Sequence, residues 1–115
     1  MNVSKELTAA SATVLVLAIL REGDSYGYSI IKKVKELSES EILWTEGMLY
    51  PVLHRLEEQG LIESYWQAAE TGRNRKYYRI TGSGRQELSM QMNQWKVVTS
   101  TLIKAEKPQP QGKEE

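Results

Sequence analysis

Basic side chains are concentrated in one short stretch of this sequence. The 115-residue chain balances 15 Lys and Arg against 15 Asp and Glu, yet residues 71–86 contain five basic residues and no acidic one. The five are Arg73, Arg75, Lys76, Arg79 and Arg85. Clustered cations suit a phosphate backbone, because each phosphate contact releases condensed counterions. The stretch therefore predicts contact with nucleic acid, with a solvated hairpin tip as the alternative.

The glycine and asparagine within this stretch support the same prediction. Gly72 and Asn74 let the backbone come close to a phosphate, where a bulkier residue would hold it away. We expect duplex DNA as the partner.

A predicted helix before this stretch supplies a second set of groups. Thr45 is its N-cap and Gly60 its stop, and between them apolar residues recur at helical spacing. A helix that reads DNA presents its N-terminal half to base edges in the major groove. We therefore expect base or phosphate contacts from Thr45, Gly47, Met48, Tyr50 and His54.

Two residues of this helix have alternative interpretations. Arg55 either contacts DNA or pairs with a neighbouring Glu. Pro51 has no N–H to donate, so either the first turn is irregular or the regular helix starts closer to Leu49.

The residue types argue against catalysis. The chain has a single His, His54, and no Cys, so one chain can assemble neither a zinc site nor a His-assisted nucleophile. It also contains no P-loop and no GxGxxG motif. We expect no enzymatic activity, no metal and no cofactor.

The sequence also predicts a cytoplasmic protein with no membrane partner. The longest apolar run, Val14–Leu20, is far shorter than the roughly 20 residues needed to cross a bilayer. The lack of Cys suits a reducing compartment.

Two further helices are predicted in the first third of the chain. The first covers Lys5–Arg21, which is mostly apolar and suits a helix buried on most sides. Gly23 ends it, and Asp24 or Ser25 caps the second.

A hairpin and a long helix are predicted to follow. Aromatic and β-branched residues alternate with polar ones over Leu61–Gln67 and Lys76–Thr81, which predicts two paired strands. Their connection, Ala68–Arg75, is longer than is usual for a hairpin. The last helix begins after Thr81 or Ser83 and ends near Ala105.

These elements predict a mainly α fold with a small β-hairpin. Their order is that of a winged helix-turn-helix followed by a long C-terminal dimerisation helix. We assign residues 1–81 to the DNA-binding domain, with the first helix also contributing to a dimer. Residues 82–105 are the dimerisation helix, and residues 106–115 are expected to be a disordered tail.

The last helix carries an apolar stripe that needs a partner. Because the other helices fill the core, a second copy of the chain is the simplest cover, and two-fold pairing suits a nearly palindromic operator. Val14 and Leu17 of the first helix complete the contact. The predicted dimer residues are Leu88, Met92, Trp95, Leu102 and Ile103.

Two segments resemble a known family. The stretch GMLYPVLHRLEEQGLIESYW, followed by ETGRNRKYYRIT and Gly84, is similar to the signature of PadR-family transcriptional regulators. The resemblance implies that this chain is a homodimeric winged-helix repressor, which binds operator DNA and loses affinity for it when an inducer binds. It implies that Tyr50 and Pro51 mark the recognition helix. It also implies that Gly72–Lys76 is the wing tip, and that Tyr78 and Ile80 belong to the core.

The short last helix resembles that of a small subfamily that includes a lactococcal multidrug-sensing repressor. In that relative the matching Trp and its two-fold mate sandwich flat aromatic ligands. Trp95 accordingly either seals the dimer or stacks on a planar effector. Thr99 stands where the relative has an acid, which leaves a neutral ligand, a cationic one or none open. The residues of this tentative ligand site are Val14, Leu17, Leu88, Met92, Trp95 and Thr99.

The function predicted from the sequence is sequence-specific DNA binding by a homodimeric transcriptional regulator. Repression, released by a small planar or aromatic effector, is the expected mode. The alternative is a winged-helix adaptor that binds protein and not DNA, since fold alone does not separate the two.

Overall fold

The computed structural model describes residues 3–107 and has the predicted winged-helix order. The helices are α1 (Lys5–Arg21), α2 (Gly27–Leu37), α3 (Glu46–Glu58) and α4 (Gly82–Glu106). The strands are β1 (Ser25–Tyr26), β2 (Ile62–Ala68) and β3 (Asn74–Ile80), and they form an antiparallel sheet in the order β1-β3-β2. The mainly α prediction with a hairpin and a long last helix is confirmed.

One hydrophobic core joins α1, α2, α3 and the sheet. Helix α1 is buried on most sides only from Ala12 to Leu20, with Val16 and Leu17 fully covered, whereas its first two turns are mostly exposed. The apolar stripe of α3 is also buried, and Tyr78 and Ile80 face the core from β3. The predicted core positions on α3 are confirmed: Leu49, Val52, Leu53 and Leu56.

The start of α2 differs from the prediction. Ser25 and Tyr26 form β1, pairing with Tyr78 and Tyr77 of β3, so neither Asp24 nor Ser25 caps the helix. Tyr26 precedes the helix without a side-chain cap. The predicted cap is wrong because this segment gives its backbone to the sheet.

The hairpin loop is shorter than predicted. The strands remain paired as far as Ala68 and Asn74, which leaves a loop of residues 69–73. Gly72 has a positive φ of 86° and its N–H donates to the Ala69 carbonyl, which closes a tight turn. Asn74 and Arg75 are therefore strand residues, because backbone pairing continues beyond the apolar alternation.

Helix α3 begins before Pro51 and continues through it. The Thr45 hydroxyl accepts a hydrogen bond from the Met48 N–H at 3.2 Å, which confirms the predicted cap. The bond that Pro51 cannot make would end on the Gly47 carbonyl. Both residues are exposed, so water can satisfy that oxygen. The helix thus starts at Glu46, ahead of the alternative start near Leu49.

Helix α4 is tied to the base of the hairpin and then leaves the body of the protein. The Thr81 hydroxyl accepts from the Gly84 N–H at 3.0 Å and donates to the Gly60 carbonyl at 2.7 Å. Every residue from Lys96 to Lys107 is exposed. The end of the helix at Glu106 agrees with the prediction, and most of the expected tail, residues 108–115, lies outside the described residues. Among residues 3–107 no helix is long and apolar enough to span a bilayer.

Candidate nucleic-acid interface

The predicted reading face of α3 is open. Gly47, Pro51, His54 and Glu58 are all exposed on the side opposite the core stripe. The His54 Nε2 atom lies 3.5 Å from a Glu58 carboxylate oxygen, a contact that is ionic when the imidazole is protonated. No side chain from the other elements covers these four residues deeply enough to bury them, so this face can approach a duplex.

Tyr50 combines exposure with packing. The side chain is 44% exposed, yet its ring lies against Gly27 at the start of α2. A Cβ atom at Gly27 would meet the Tyr50 Oη atom at 2.6 Å. The absence of a side chain at Gly27 therefore sets where the Tyr50 ring lies on the recognition helix.

Arg55 lies on the other flank of α3 and away from the reading face. Its Nη2 atom donates to the Thr13 hydroxyl of α1 at 2.9 Å. The alternative of a neighbouring Glu as partner is therefore not what the described contacts show. Of the predicted DNA contacts, Thr45 and Met48 line the same groove as Arg55. Met48, on the same flank, is half-buried beside Trp44.

The pleat of the hairpin separates the basic residues that are adjacent in sequence. Arg75 and Arg79 lie on the outer face of the sheet, where their guanidinium carbons are 4.2 Å and 4.8 Å from the ring centroids of Tyr26 and Tyr65. Arg79 also lies 3.9 Å from a Glu63 carboxylate oxygen. These contacts order the two arginines, and they leave the charge of Arg75 unneutralised.

Lys76 lies on the opposite face, towards α3. Its Nζ atom is 5.7 Å from the centroid of the Tyr78 ring, which is buried in the core. Arg73 is exposed in the loop. Among the described residues, none of Arg73, Arg75 and Lys76 forms an ion pair with a carboxylate. The wing tip therefore presents uncompensated positive charge.

Arg85 does not belong to the wing tip. It lines a small groove with Arg21 and Lys96, between the end of α1 and the first half of α4. The five basic residues of the sequence stretch thus lie in four places. Arg73 is in the loop, Lys76 is on the face of the wing towards α3, Arg75 and Arg79 are on its outer face, and Arg85 is in this separate groove.

Two tyrosines of the sheet have altered acidity. A hydrogen bond of 2.7 Å from the Tyr65 hydroxyl to Asp24 raises the pKa of Tyr65. Burial raises the pKa of Tyr78 above its usual 10.0. Both phenols remain neutral near pH 7, so the positive charge of the wing is not offset by them.

A family comparison agrees with this geometry. The family model described as the transcriptional regulator PadR-like family matches residues 16–90, from the middle of α1 into α4. The chain belongs to the PadR-like family. The resemblance noted in the sequence is thereby confirmed at the level of the family.

Individual relatives of this PadR-like chain include proteins that are described as transcriptional regulators. A transcriptional regulator structure from Clostridium thermocellum has a TM-score of 0.81 at 32% identity, covering 91% of this chain and 99% of that one. An uncharacterized protein of Lysinibacillus sphaericus is 36% identical over 88 residues, 76% of this chain and 81% of its own length. The negative transcriptional regulator PadR of Bacillus subtilis is 35% identical over 75 residues, 64% of this chain but 40% of that protein.

Trp66 was not among the site residues predicted from the sequence of this PadR-like chain. Its side chain is 66% exposed and lies opposite Lys76 in the strand register. Ser64, two residues earlier on the same face, donates to Glu57 of α3 at 2.5 Å. Trp66 therefore extends the α3 side of the wing. The alternation of β2 indicates its face, but only the strand length shows that it lies beyond the core.

The tentative ligand residues of this PadR-like chain do not line a common open surface. Val14, Leu17 and Leu88 are 6%, 0% and 2% exposed and fill the core of their own chain. They cannot serve as open ligand walls, and Leu88 does not belong to an exposed dimer stripe. Met92 and Trp95 are half-buried, and three predicted residues are exposed along α4: Thr99, Leu102 and Ile103.

Proposed function

We propose that this PadR-like regulator binds double-stranded operator DNA as a homodimer and represses transcription. The observation that carries the proposal is the uncompensated positive charge of the wing tip beside the open face of α3. The proposed DNA contacts on α3 are Thr45, Gly47, Met48, Tyr50, Pro51 and His54. Those on the wing are Trp66, Gly72, Arg73, Asn74, Arg75 and Lys76.

The two groups suit different parts of a duplex. The N-terminal half of α3 can enter the major groove, while the wing cations reach phosphates at the groove edge. Arg55 is left out of this proposal because it is directed towards Thr13. Repression follows the description of the Bacillus subtilis relative as a negative regulator. Such a protein acts where the chromosome lies, in the cytoplasm.

Dimerisation is the second part of the proposal. The exposed apolar residues of α4, among them Leu102 and Ile103, support a second copy as the partner. A two-fold pair would set its recognition helices about one DNA turn, roughly 34 Å, apart.

Release by a small planar or aromatic effector is the third part. Trp95 supports it, because this half-buried ring lies where α4 leaves the body of the protein. Replacing Trp95 by Ala should abolish fluorescence quenching by planar compounds and leave the dimer intact. Quenching that persists would assign the signal to Trp44 or Trp66.

The experiment that tests the proposed function is an unbiased selection of bound fragments from genomic DNA. We expect enrichment of a nearly palindromic sequence with half-sites one helical turn apart. The Lys76→Gln and Arg73→Gln variants should weaken binding to every fragment alike, since phosphate contacts carry no sequence information. Enrichment of no sequence, with a protein partner recovered instead, would favour the adaptor function.

A further inference from the structure

One large aromatic side chain of the wing contributes little to the core. Trp66 of β2 is 66% exposed, whereas the two other tryptophans are buried or half-buried. On the same face of β2, Ile62 is in the core and the Ser64 hydroxyl donates to Glu57 of α3. Trp66 lies two residues, about 7 Å, beyond Ser64 towards the wing tip. It therefore lies beyond the contact that ties the wing to α3.

The indole of Trp66 projects from the wing. Its neighbours on this face towards the tip are Ala68 and Asn74, which are small and exposed. Lys76 is directly opposite on β3, and residues paired in this way have Cβ atoms about 5 Å apart. Lys76 forms no ion pair with a carboxylate among the described residues. A phosphate bound by Lys76 would therefore lie beside the Trp66 ring.

The row of phosphates that the wing contacts decides which part of a duplex the ring can reach. With α3 in the major groove, the wing cations meet phosphates at the edge of that groove. The same row of phosphates borders the minor groove on its other side. A large side chain next to such a cation can therefore reach the minor groove and the deoxyriboses that line it.

The chemistry of an indole favours one type of base pair in the minor groove. Its Nε1 group is a donor and has no acceptor capacity. An A·T pair presents only acceptors in the minor groove, whereas a G·C pair adds the guanine N2 amino group, which is a donor. The N–H of Trp66 is thus complementary to A·T and opposed by that amino group. The apolar part of the ring gains by packing against deoxyribose, away from water.

We propose that Trp66 is a specificity-determining residue that enters the minor groove of the operator beside the phosphate bound by Lys76 and favours A·T pairs there. This inference rests on the DNA binding proposed above, and it adds sequence discrimination at positions that α3 does not read. The two residues then have different functions. Lys76 binds any sequence equally, because phosphates are alike in all sequences, and Trp66 discriminates.

Base analogues test this readout on the operator obtained by selection. An inosine·cytosine pair has the minor groove pattern of A·T and the major groove pattern of G·C, because inosine lacks the N2 amino group. The A·T pairs that flank the two α3 half-sites are replaced by inosine·cytosine or by G·C. We expect the A·T and inosine·cytosine duplexes to bind alike and the G·C duplex about tenfold more weakly, since one hydrogen bond is lost in each half-site.

Three variants separate the effect of the ring from the effect of charge. Trp66→Ala should bind all three duplexes within about twofold of one another, because the group that distinguishes their minor grooves is gone. Lys76→Gln should weaken all three by the same factor and keep the discrimination. The matched control is Gln67→Ala, because Gln67 is exposed at the next position of β2 and lies on the outer face. It should leave affinity and discrimination unchanged.

The outcomes separate this inference from the proposed DNA binding. An inosine·cytosine duplex that binds as weakly as the G·C duplex would assign the readout to the major groove and overturn the role of Trp66. Equal binding of the three duplexes by the parent protein, or discrimination that persists in Trp66→Ala, would overturn it as well. In each of these cases DNA binding itself still stands. A parent protein that binds no duplex would overturn both.

Acrylamide quenching provides a second measurement. The fluorescence of Trp66 is obtained as the difference between the parent protein and the Trp66→Phe variant. Because the ring is 66% exposed, acrylamide should quench this fluorescence readily in the free protein. The A·T duplex should reduce the quenching constant several-fold, since the ring is then covered by the groove. A ring that stays equally accessible in the complex would contradict its entry into the minor groove.

Discussion

The wing tip and the far end of α4 are both exposed, but each lacks a different kind of contact. The wing tip exposes cations without carboxylate partners, whereas the far half of α4 exposes Val97, Leu102 and Ile103. Cations gain from counterion release, which salt weakens. Apolar side chains gain from leaving water, which salt does not weaken. The wing tip therefore suits a polyanion, and its binding should weaken as the salt concentration rises. The far half of α4 suits an apolar surface, and its binding should not be weakened by salt.

The two faces of the wing also differ in the contacts that their basic residues make. On its outer face Arg75 and Arg79 lie over tyrosine rings, and Arg79 alone also approaches a carboxylate, that of Glu63. Its other face carries Lys76 and the exposed Trp66 towards α3. Arg75 and Lys76 therefore lie on opposite faces of the wing, and neither forms an ion pair with a carboxylate among the described residues. Arg79 differs from both, because its charge is partly offset by Glu63.

The largest expected effect comes from placing charge on the apolar end of α4. The double variant Leu102→Asp and Ile103→Asp should be monomeric and bind operator DNA at least about 100-fold more weakly, because linked half-sites lose their effective concentration. Analytical ultracentrifugation and a DNA titration measure the two effects. The control is Gln94→Asp with Thr101→Asp, which adds the same charge elsewhere on α4. If the control dissociates equally, the apolar residues are not the cause.

The second largest effect is expected on stability, at the place where the start of α4 packs against the base of the hairpin. A Cβ atom at Gly84 would lie 2.1 Å from the Leu61 carbonyl oxygen, so Gly84→Ala must displace backbone. We expect a loss of about 1–3 kcal/mol in the free energy of unfolding, the usual cost of overpacking. Gly82→Ala has nothing within 4 Å and should be nearly neutral. Denaturant unfolding compares them, and equal stabilities would contradict the close packing.

A smaller, local effect is expected where α2 meets the recognition helix. Gly27→Ala should push the Tyr50 ring aside and weaken DNA binding by about tenfold, or about 1.4 kcal/mol. The folded state should be retained, because the nearest atom belongs to the end of a side chain. Adding Tyr50→Ala tests the cause through a double-mutant cycle. Losses of affinity that simply add would mean that Gly27→Ala does not act through Tyr50.

The smallest expected effect is confined to alkaline solution and concerns the core beneath the wing. Burial raises the pKa of Tyr78, so the neutral phenol is favoured in the folded state. Its contribution to stability is present below pH 10.0 and is lost as the pH rises through the raised pKa. Tyr78→Phe should therefore unfold at a higher alkaline pH than the parent protein, followed by circular dichroism. The exposed Tyr28→Phe variant should unfold like the parent, and a Tyr78→Phe curve that matches it would disprove the assignment.

The elements with long apolar periodicity could be read from the sequence. Helices α1, α3 and α4 are found within about one residue of their predicted ends, because apolar residues at helical spacing and the residues that cap or stop each helix mark them in the sequence. Strand β1 could not be predicted, since two residues show no periodicity and its pairing with Tyr77 and Tyr78 is more than 50 residues distant. The loop was overestimated because Asn74, a common turn residue, also extends a backbone ladder.

The candidate site was predictable in its location and not in its details. Charge counting identified the wing, but Arg75 was assigned to the loop, and only the strand pairing as far as Asn74 puts it on the face opposite Lys76. The contact of Arg55 with Thr13 spans 42 positions and is equally invisible in sequence. The prediction that Leu88 lies on an outer stripe failed because the first turns of α4 pack on their own core.

The salt dependence of binding to the selected operator tests the central claim most directly. The logarithm of the affinity should fall linearly with the logarithm of salt concentration, and Lys76→Gln should reduce the slope by about 1.8 for the dimer, from about 0.9 per phosphate contact. Arg79→Gln, which removes a cation already beside Glu63, should leave the slope unchanged. Binding that is insensitive to salt, or equal changes of slope in both variants, would contradict an interface built on the uncompensated charge of the wing tip.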